Sequence, residues 1–367
     1  MAGVAGTRLA GALAVPERVA YVFETGRPLA RRVDACPRPA PGEVVVEVAG
    51  CGLCHTDIGF LEGSVRPAKE PVVLGHEIVG RVIVAGDGAE ELLGRDVIAP
   101  AVLPCGDCDV CRRGRGNICR EARMIGSALD GGFATHVVLP ARPLVPVDLD
   151  GTDVELWEVA VVADAVTTPL HALARAGVGP GDHVVVVGVG GLGSFAVQIA
   201  RARGASVIAL DADAERLRRI RDFGAAATVD VRGLDERDAR DAARKAATSL
   251  GWAPDAWKVF EMSGTPAGQK TAFELLTRRG LLGVVGYTRE RVSVRLSNVM
   301  ALEAEVQGTW GAPPERYPEA LALVRTGDVR LRPFVRGFPL AAIDDVIAEA
   351  RAGRLRERAV FRPQESA

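Results

Sequence analysis

Two kinds of apolar patterning divide the chain. In the first 150 residues the apolar runs are short and β-branched, as in EVVVEV (43–48), EIVGRVIVAG (77–86) and FATHVVLP (133–140), with Gly- and Pro-rich stretches between them. Branching at Cβ favours extended backbone, and Gly and Pro punctuate it, so this part is predicted to be an irregular β-rich domain. From about residue 165 the texture changes. PLHALARAG reads as helix and leads into HVVVVGVGGLGSFAVQIARARGASVIALDAD, which passes from buried strand through a glycine turn to helix and strand. WKVFEMSG (257–264), GLLGVVGY (280–287) and EVQGTWG (305–311) continue as strand candidates. Strands alternating with helices predict a parallel, doubly wound α/β sheet. A helix at about 340–352 and a short strand at ERAVFRP close the chain in a different style.

A length of 367 residues exceeds what one hydrophobic core normally serves, so two domains are expected. The division read here is 1–163, 164–312, and 313–367 returning to the first domain. A net charge of −2 gives no electrostatic reason to expect nucleic acid or an anionic membrane as partner. MAGVAGTRLAGALAV at the start is interrupted by Gly and lacks a cleavage site; it is read as a short extension before the first strand. No apolar stretch is long enough to span a bilayer. Of seven cysteines, at 36, 51, 54, 105, 108, 111 and 119, four fall within fifteen positions. An odd count without a secretory signal argues for metal in a reducing cytoplasm, not for a disulfide framework.

GVGGLG (188–193) follows an apolar strand and opens a helix near Ser194. In this context Gly188 permits the tight turn, Gly190 lets a pyrophosphate approach the backbone and Gly193 lets helix and strand pack closely, with Gly191 and Leu192 completing the turn. The next strand, SVIALD, ends in Asp211, where a carboxylate would accept from ribose hydroxyls and repel a 2′-phosphate. NAD is therefore expected over NADP. Arg216, on the following helix, is placed to reach the adenosine ribose; a solvated surface role fits it as well.

CGDCDVCRRGRGNIC presents Cys105, Cys108, Cys111 and Cys119 on one small loop. Four thiolates fit a closed tetrahedral zinc site that contributes folding energy and not chemistry; the usual iron–sulfur spacings differ. CGLCHTD (51–57) admits a redox dithiol, half of a structural metal knot or the nucleus of a catalytic metal site. With the four-cysteine loop complete in itself, Cys54 is free for a second metal, and GHE (75–77) offers His76 as ligand and Glu77 as ligand or neighbour.

Taken in order, GCGLCHTD (50–57), GHE, the four-cysteine lobe, GVGGLG and Asp211 resemble the zinc-dependent medium-chain alcohol dehydrogenases over nearly the whole chain. That resemblance implies a GroES-like β-rich catalytic domain joined to a Rossmann domain. It implies two zinc ions, one catalytic and one structural, and hydride transfer from an alcohol to NAD. In DAVTTPLHAL it marks Asp164 as the third catalytic zinc ligand, and it gives Thr56 the first proton-relay position. Where some members carry a relay histidine this chain has Gly59, which leaves the far end of the proton path unassigned. His55 and Arg358 correspond to pyrophosphate contacts, Thr168 lies near the expected nicotinamide, and Gly286 follows a cofactor-domain strand. Cys51 and Cys36 read as small buried residues.

Longer stretches, among them PAVLPCGDCDVCRRGRGNICR, GGFATHVVLPAR, SGTPAGQKTAFELL and VRLSNVMALEAEVQGTWG, resemble one branch, the 6-hydroxycyclohex-1-ene-1-carbonyl-CoA dehydrogenases of anaerobic aromatic (benzoyl-CoA) degradation. The branch implies a ring secondary alcohol carried on an acyl-CoA thioester. A general NAD-dependent secondary or cyclic alcohol dehydrogenase is the nearest rival, and a zinc-free reductase or a non-catalytic NAD-binding protein would have no use for these ligands. EVQGTWG is expected at a sheet edge, where copies could associate edge to edge into a homo-oligomer, a dimer or a tetramer.

Overall fold

Strand Glu43–Gly52 organises the first half of the molecule. It pairs antiparallel with Glu77–Ala85 along one edge; its other edge takes His136–Pro140 near its start and Arg358–Arg362 near its end. Val44, Val45, Val46 and Val48 are all buried, which explains an unbroken run of branched residues: this strand is covered on both faces. The computed structural model describes residues 15–366, so the expected extension at residues 1–14 lies outside the described residues.

The first sheet has seven strands, with Val335–Pro339 and Arg358–Arg362 from the C-terminal end of the chain at one side. The FATHVVLP run yields a strand only over His136–Pro140; ahead of it Ala134 makes a single bridge to Ala20. The Glu43–Gly52 strand, by contrast, runs beyond its apolar stretch into Cys51 and Gly52, so CGLCHTD begins inside the sheet.

The second sheet is wholly parallel. Its order is Ala227–Asp230, Ser206–Asp211, His183–Val187, Lys258–Glu261, Leu281–Val284, Glu305–Gly308, the doubly wound arrangement in which the chain starts at the centre and reverses direction once. Each of the last three strands is shorter than the apolar run that predicted it. The leftover residues, such as Met262–Gly264 and Val285–Tyr287, turn out of the sheet at its carboxyl edge, where such folds place their ligands.

A 3-10 segment, Leu156–Ala163, buried from Glu158 onward, packs against the first sheet and shares a core with Val79, Ile98, Leu170, Val184 and Val186, so the two sheets meet across it. It ends at Asp164. Tyr317, 1% exposed, donates its hydroxyl proton to the Ala163 carbonyl and accepts from Ala101 N at 3.2 Å, which fixes the backbone immediately before that acid.

Candidate active site

Cys54 stands at the N-terminus of the short helix His55–Leu61, and Asp57 closes the turn by accepting from Cys54 N at 3.0 Å. The other oxygen of Asp57 accepts from Gly75 N at 3.1 Å and lies 3.5 Å from His76 Nδ1. This buried carboxylate therefore ties the CGLCHTD turn to the GHE turn and faces the imidazole. Sequence reading gave Asp57 no role, although an acid three residues after a helix start is a capping signal.

Asp164 reaches the same place from the junction segment. Its Oδ2 lies 3.6 Å from Cys54 Sγ and 3.9 Å from His76 Nε2, and its Oδ1 accepts from Thr168 Oγ1 at 2.6 Å. Bonds of 2.0–2.3 Å to a tetrahedral ion place neighbouring ligand atoms about 3.3–3.8 Å apart, so the spacing fits one metal with a fourth position open. The electrostatics agree. Burial opposes a charged His76, yet Asp57, Asp164 and Cys54 push its pKa well above the ordinary value. Burial likewise opposes an ionised Asp164, but His76, Arg358 and Thr168 hold its carboxyl well below the usual carboxylate range. A thiol, an imidazole and acids packed this tightly draw positive charge between them.

Glu77 lies within 4.8 Å of the other three. Both its oxygens accept from Arg358: Nε donates to Oε2 at 2.9 Å, and Nη2 donates to Oε1. Gly52 makes room for this pair, since a Cβ there would sit 2.0 Å from Glu77 Oε2. In this geometry Glu77 is the counter-ion of Arg358.

Arg358 also connects the cluster to the glycine turn: its Nη1 lies 2.7 Å from where a Cβ on Gly191 would be. Arg216 approaches Gly190 in the same way, with Nη1 at 3.6 Å from the Cβ position and a buried Nε that has no partner. Burial, with Arg358 and Arg216 close by, lowers the pKa of His55. Two guanidinium groups thus stand at the turn. Gly188 adopts φ +89, which an L side chain resists, and a Cβ on Gly193 would fall 1.8 Å from the Gly188 carbonyl oxygen. Leu192 is half-buried at the start of the helix Gly193–Ala202. Asp211 ends its strand as expected and accepts from Val189 N at 2.8 Å and Asp213 N at 2.9 Å.

Two further residues singled out for the cofactor have partners within the protein, and Gly286 follows the strand Leu281–Val284. The Thr168 hydroxyl is committed to Asp164, and Gly286 packs against Gly264 and the Glu261 carboxylate, where no side chain would fit. Cys51 turns away from Cys54: its sulfur lies under Gly75 and Gly132, 2.7 and 2.8 Å from their Cβ positions, so the two cysteines do not form a dithiol. Cys36 is buried, as expected.

In the lobe, the sulfurs of Cys105, Cys108, Cys111 and Cys119 approach one another at 3.5 to 3.9 Å. These are the edges of a tetrahedron around one ion; a disulfide would bring two sulfurs to about 2 Å.

Residues 40–149 match the alcohol dehydrogenase GroES-like domain family, and residues 191–326 match the zinc-binding dehydrogenase family. The chain is 30% identical over 335 residues to an alcohol dehydrogenase of Geobacillus stearothermophilus, covering 90% of this chain and 94% of that one. It superposes on the alcohol dehydrogenase of the archaeon Aeropyrum pernix with a TM-score of 0.83 at 31% identity, covering 94% of this chain and 100% of that one. Acetophenone reductase from Geotrichum candidum, solved in complex with NAD, gives 0.83 at 27% identity over 96% and 99%. The chain belongs to the zinc-binding medium-chain alcohol dehydrogenase family, oxidoreductases that work with zinc and NAD.

Proposed function

We propose that this enzyme transfers a hydride from a cyclic secondary alcohol to NAD, and that its substrate is 6-hydroxycyclohex-1-ene-1-carbonyl-CoA, oxidised to the 6-oxo thioester in anaerobic aromatic degradation. The observation that carries the redox chemistry is the convergence of Cys54, His76 and Asp164 one guanidinium away from the glycine turn. These three side chains would hold zinc, which when bound supplies Lewis acidity to an alcohol oxygen. Asp57 faces His76, and Thr168 orients Asp164. The Thr56 hydroxyl, 3.7 Å from Cys54 Sγ, is the first acceptor for the substrate proton. His55, Arg216 and Arg358 would hold a pyrophosphate at the glycine turn, and Asp211 would select a free 2′-hydroxyl. The four-cysteine lobe would hold the second, structural zinc.

The thioester reading is supported by the long stretches that resemble that branch in both halves of the chain. A second reading, a general secondary alcohol dehydrogenase, is favoured by relatives named alcohol, sorbitol and L-threonine 3-dehydrogenase at 28–30% identity. NADH formation from the cyclic hydroxyacyl-CoA and from simple cyclohexanols separates them. A kcat/KM at least about 100-fold higher for the thioester is expected; equal values would establish the general enzyme.

The domain division at 163/164 and 312/313, a cytoplasmic location and homo-oligomerisation complete the proposal. All seven cysteines are unpaired, as a reducing compartment keeps them, and no helix among the described residues is long and apolar enough to cross a membrane. Strand Glu305–Gly308 is last in its sheet; it carries the exposed Val306, the exposed Trp310 follows two residues after it, and the exposed Leu296 and Met300 line one cavity with Val306. Pairing of this strand with that of a second copy would cover them. A monomer by light scattering would dispose of that part.

A further inference from the structure

We propose that the Ser64 hydroxyl is the second station of the proton path that begins at Thr56; the inference rests on the alcohol-oxidising reading of the site. Oxidation of an alcohol to a carbonyl releases a hydride, taken by the nicotinamide, and one proton that has to reach water. Thr56 Oγ1 is a hydroxyl beside the cluster, and both it and Gly59 lie in the helix His55–Leu61. Positions three apart on a helix share a face, with Cβ positions about 5–6 Å apart. Gly59 has no side chain, but its place is filled. A Cβ there would lie 2.9 Å from Ser64 Oγ.

The chain folds back to put the serine there. Ser64 N and Val65 N both donate to the Gly59 carbonyl, at 2.8 and 3.2 Å, and Ser64 Oγ donates to it at 2.8 Å. From the cofactor-binding half, Arg289 donates to the Ser64 carbonyl, so the serine is held from both sides of the cleft. Thr56, Gly59 and Ser64 are half-buried while Glu62, Gly63 and Val65 are exposed, so the line from Thr56 through Ser64 ends at solvent. The neighbouring carboxylate is otherwise engaged. Both oxygens of Asp57 accept from backbone N–H groups.

The transfer balances without a further reagent. Thr56 Oγ accepts the substrate proton and gives up its own, one bridging water carries it on, and Ser64 Oγ accepts it as its own O–H turns from the Gly59 carbonyl and releases its proton to bulk water, after which the hydroxyl turns back. Each hydroxyl ends as it began. Ser64 can do this because its oxygen has lone pairs free while its O–H rests on the Gly59 carbonyl.

The test compares zinc-loaded wild type, Ser64→Ala and Ser64→Thr as NAD binds in the absence of alcohol, with proton release followed by a pH-indicator dye in weak buffer. A cationic nicotinamide ring beside the site favours loss of a proton from it. Release is expected to be about tenfold slower in Ser64→Ala, to recover as imidazole buffer is added, and to stay near the wild-type rate in Ser64→Thr. Zinc content, NAD affinity and melting temperature should be the same in all three. Wild-type release by Ser64→Ala, slow release that buffer fails to restore, or slow release by Ser64→Thr would each overturn the relay. A wild-type protein that takes up no zinc or binds no NAD would instead overturn the function on which it rests.

Discussion

Arg358 and Glu77, 281 positions apart, meet as an ion pair with Nε 2.9 Å from Oε2, the carboxylate fully buried and the guanidinium 6% exposed. The same guanidinium touches the glycine turn through Nη1 and approaches Asp164 Oδ2 at 3.9 Å through Nη2. One planar fork therefore spaces the metal cluster from the cofactor turn. Removing either partner strands a charge in a dry site. Glu77→Ala should cost about 3–5 kcal/mol of stability, read from a lower denaturation midpoint, and weaken NAD binding as Arg358 loses its orientation. Arg358→Lys should not restore the wild type, because an ammonium cannot serve carboxylate and turn at once.

Metal count separates the ligands proposed for the catalytic zinc from those proposed for the structural one. Wild type should carry about two zinc per chain, and Cys54→Ala about one, with NADH formation abolished and the melting temperature little changed. Activity that survives Cys54→Ala, in a zinc-replete preparation, would refute the ligand assignment.

The lobe makes the opposite prediction. Cys111→Ala should also lose one zinc but lower the melting temperature and expose residues 105–119 to proteolysis, since metal binding is what closes this loop. Exhaustive chelation of the wild type should reproduce both defects together.

Asp211 should decide between cofactors. Asp211→Gly removes the acceptor for ribose hydroxyls and the charge that repels a 2′-phosphate, so the KM for NAD should rise and that for NADP should fall. A combined change in preference of roughly tenfold or more is expected from steady-state kinetics. Unchanged preference would place the adenosine elsewhere.

His171 gives stability a pH dependence. Burial, with Arg175, Arg316 and Arg115 nearby, pulls its pKa from 6.5 down to about 4. Between those values the unfolded chain binds a proton that the folded one excludes. Its contribution is thus complete above pH 6.5 and lost as pH falls toward about 4. His171→Leu should flatten that part of the melting-temperature profile; an identical slope in the variant would count against the assignment.

Much of the fold was legible because it is written locally. Branched runs between glycines mark strands, GVGGLG marks a strand-to-helix turn, and an acid 23 positions after Gly188 marks the end of the next strand. The four-cysteine lobe was legible for the same reason, its ligands being confined to one loop. Residue type alone also marked Cys54 and His76 as candidate metal ligands, and the resemblance marked Asp164 as a third.

Other parts were settled only by long-range packing. Glu77 could ligate metal or stand beside it on sequence grounds; its pairing with Arg358 depends on Arg358–Arg362 joining the sheet next to Gly52. Thr168 turned to Asp164, and Asp57 gained a role, because helix starts from separate segments converge on one point. Ser64 was invisible, since nothing in the letters says that a loop will fold back over a glycine. Local periodicity reports which face of an element is apolar. Which charged and polar groups then meet is fixed by how the elements pack, where burial penalises every polar atom left without a partner and so selects the pairs that survive.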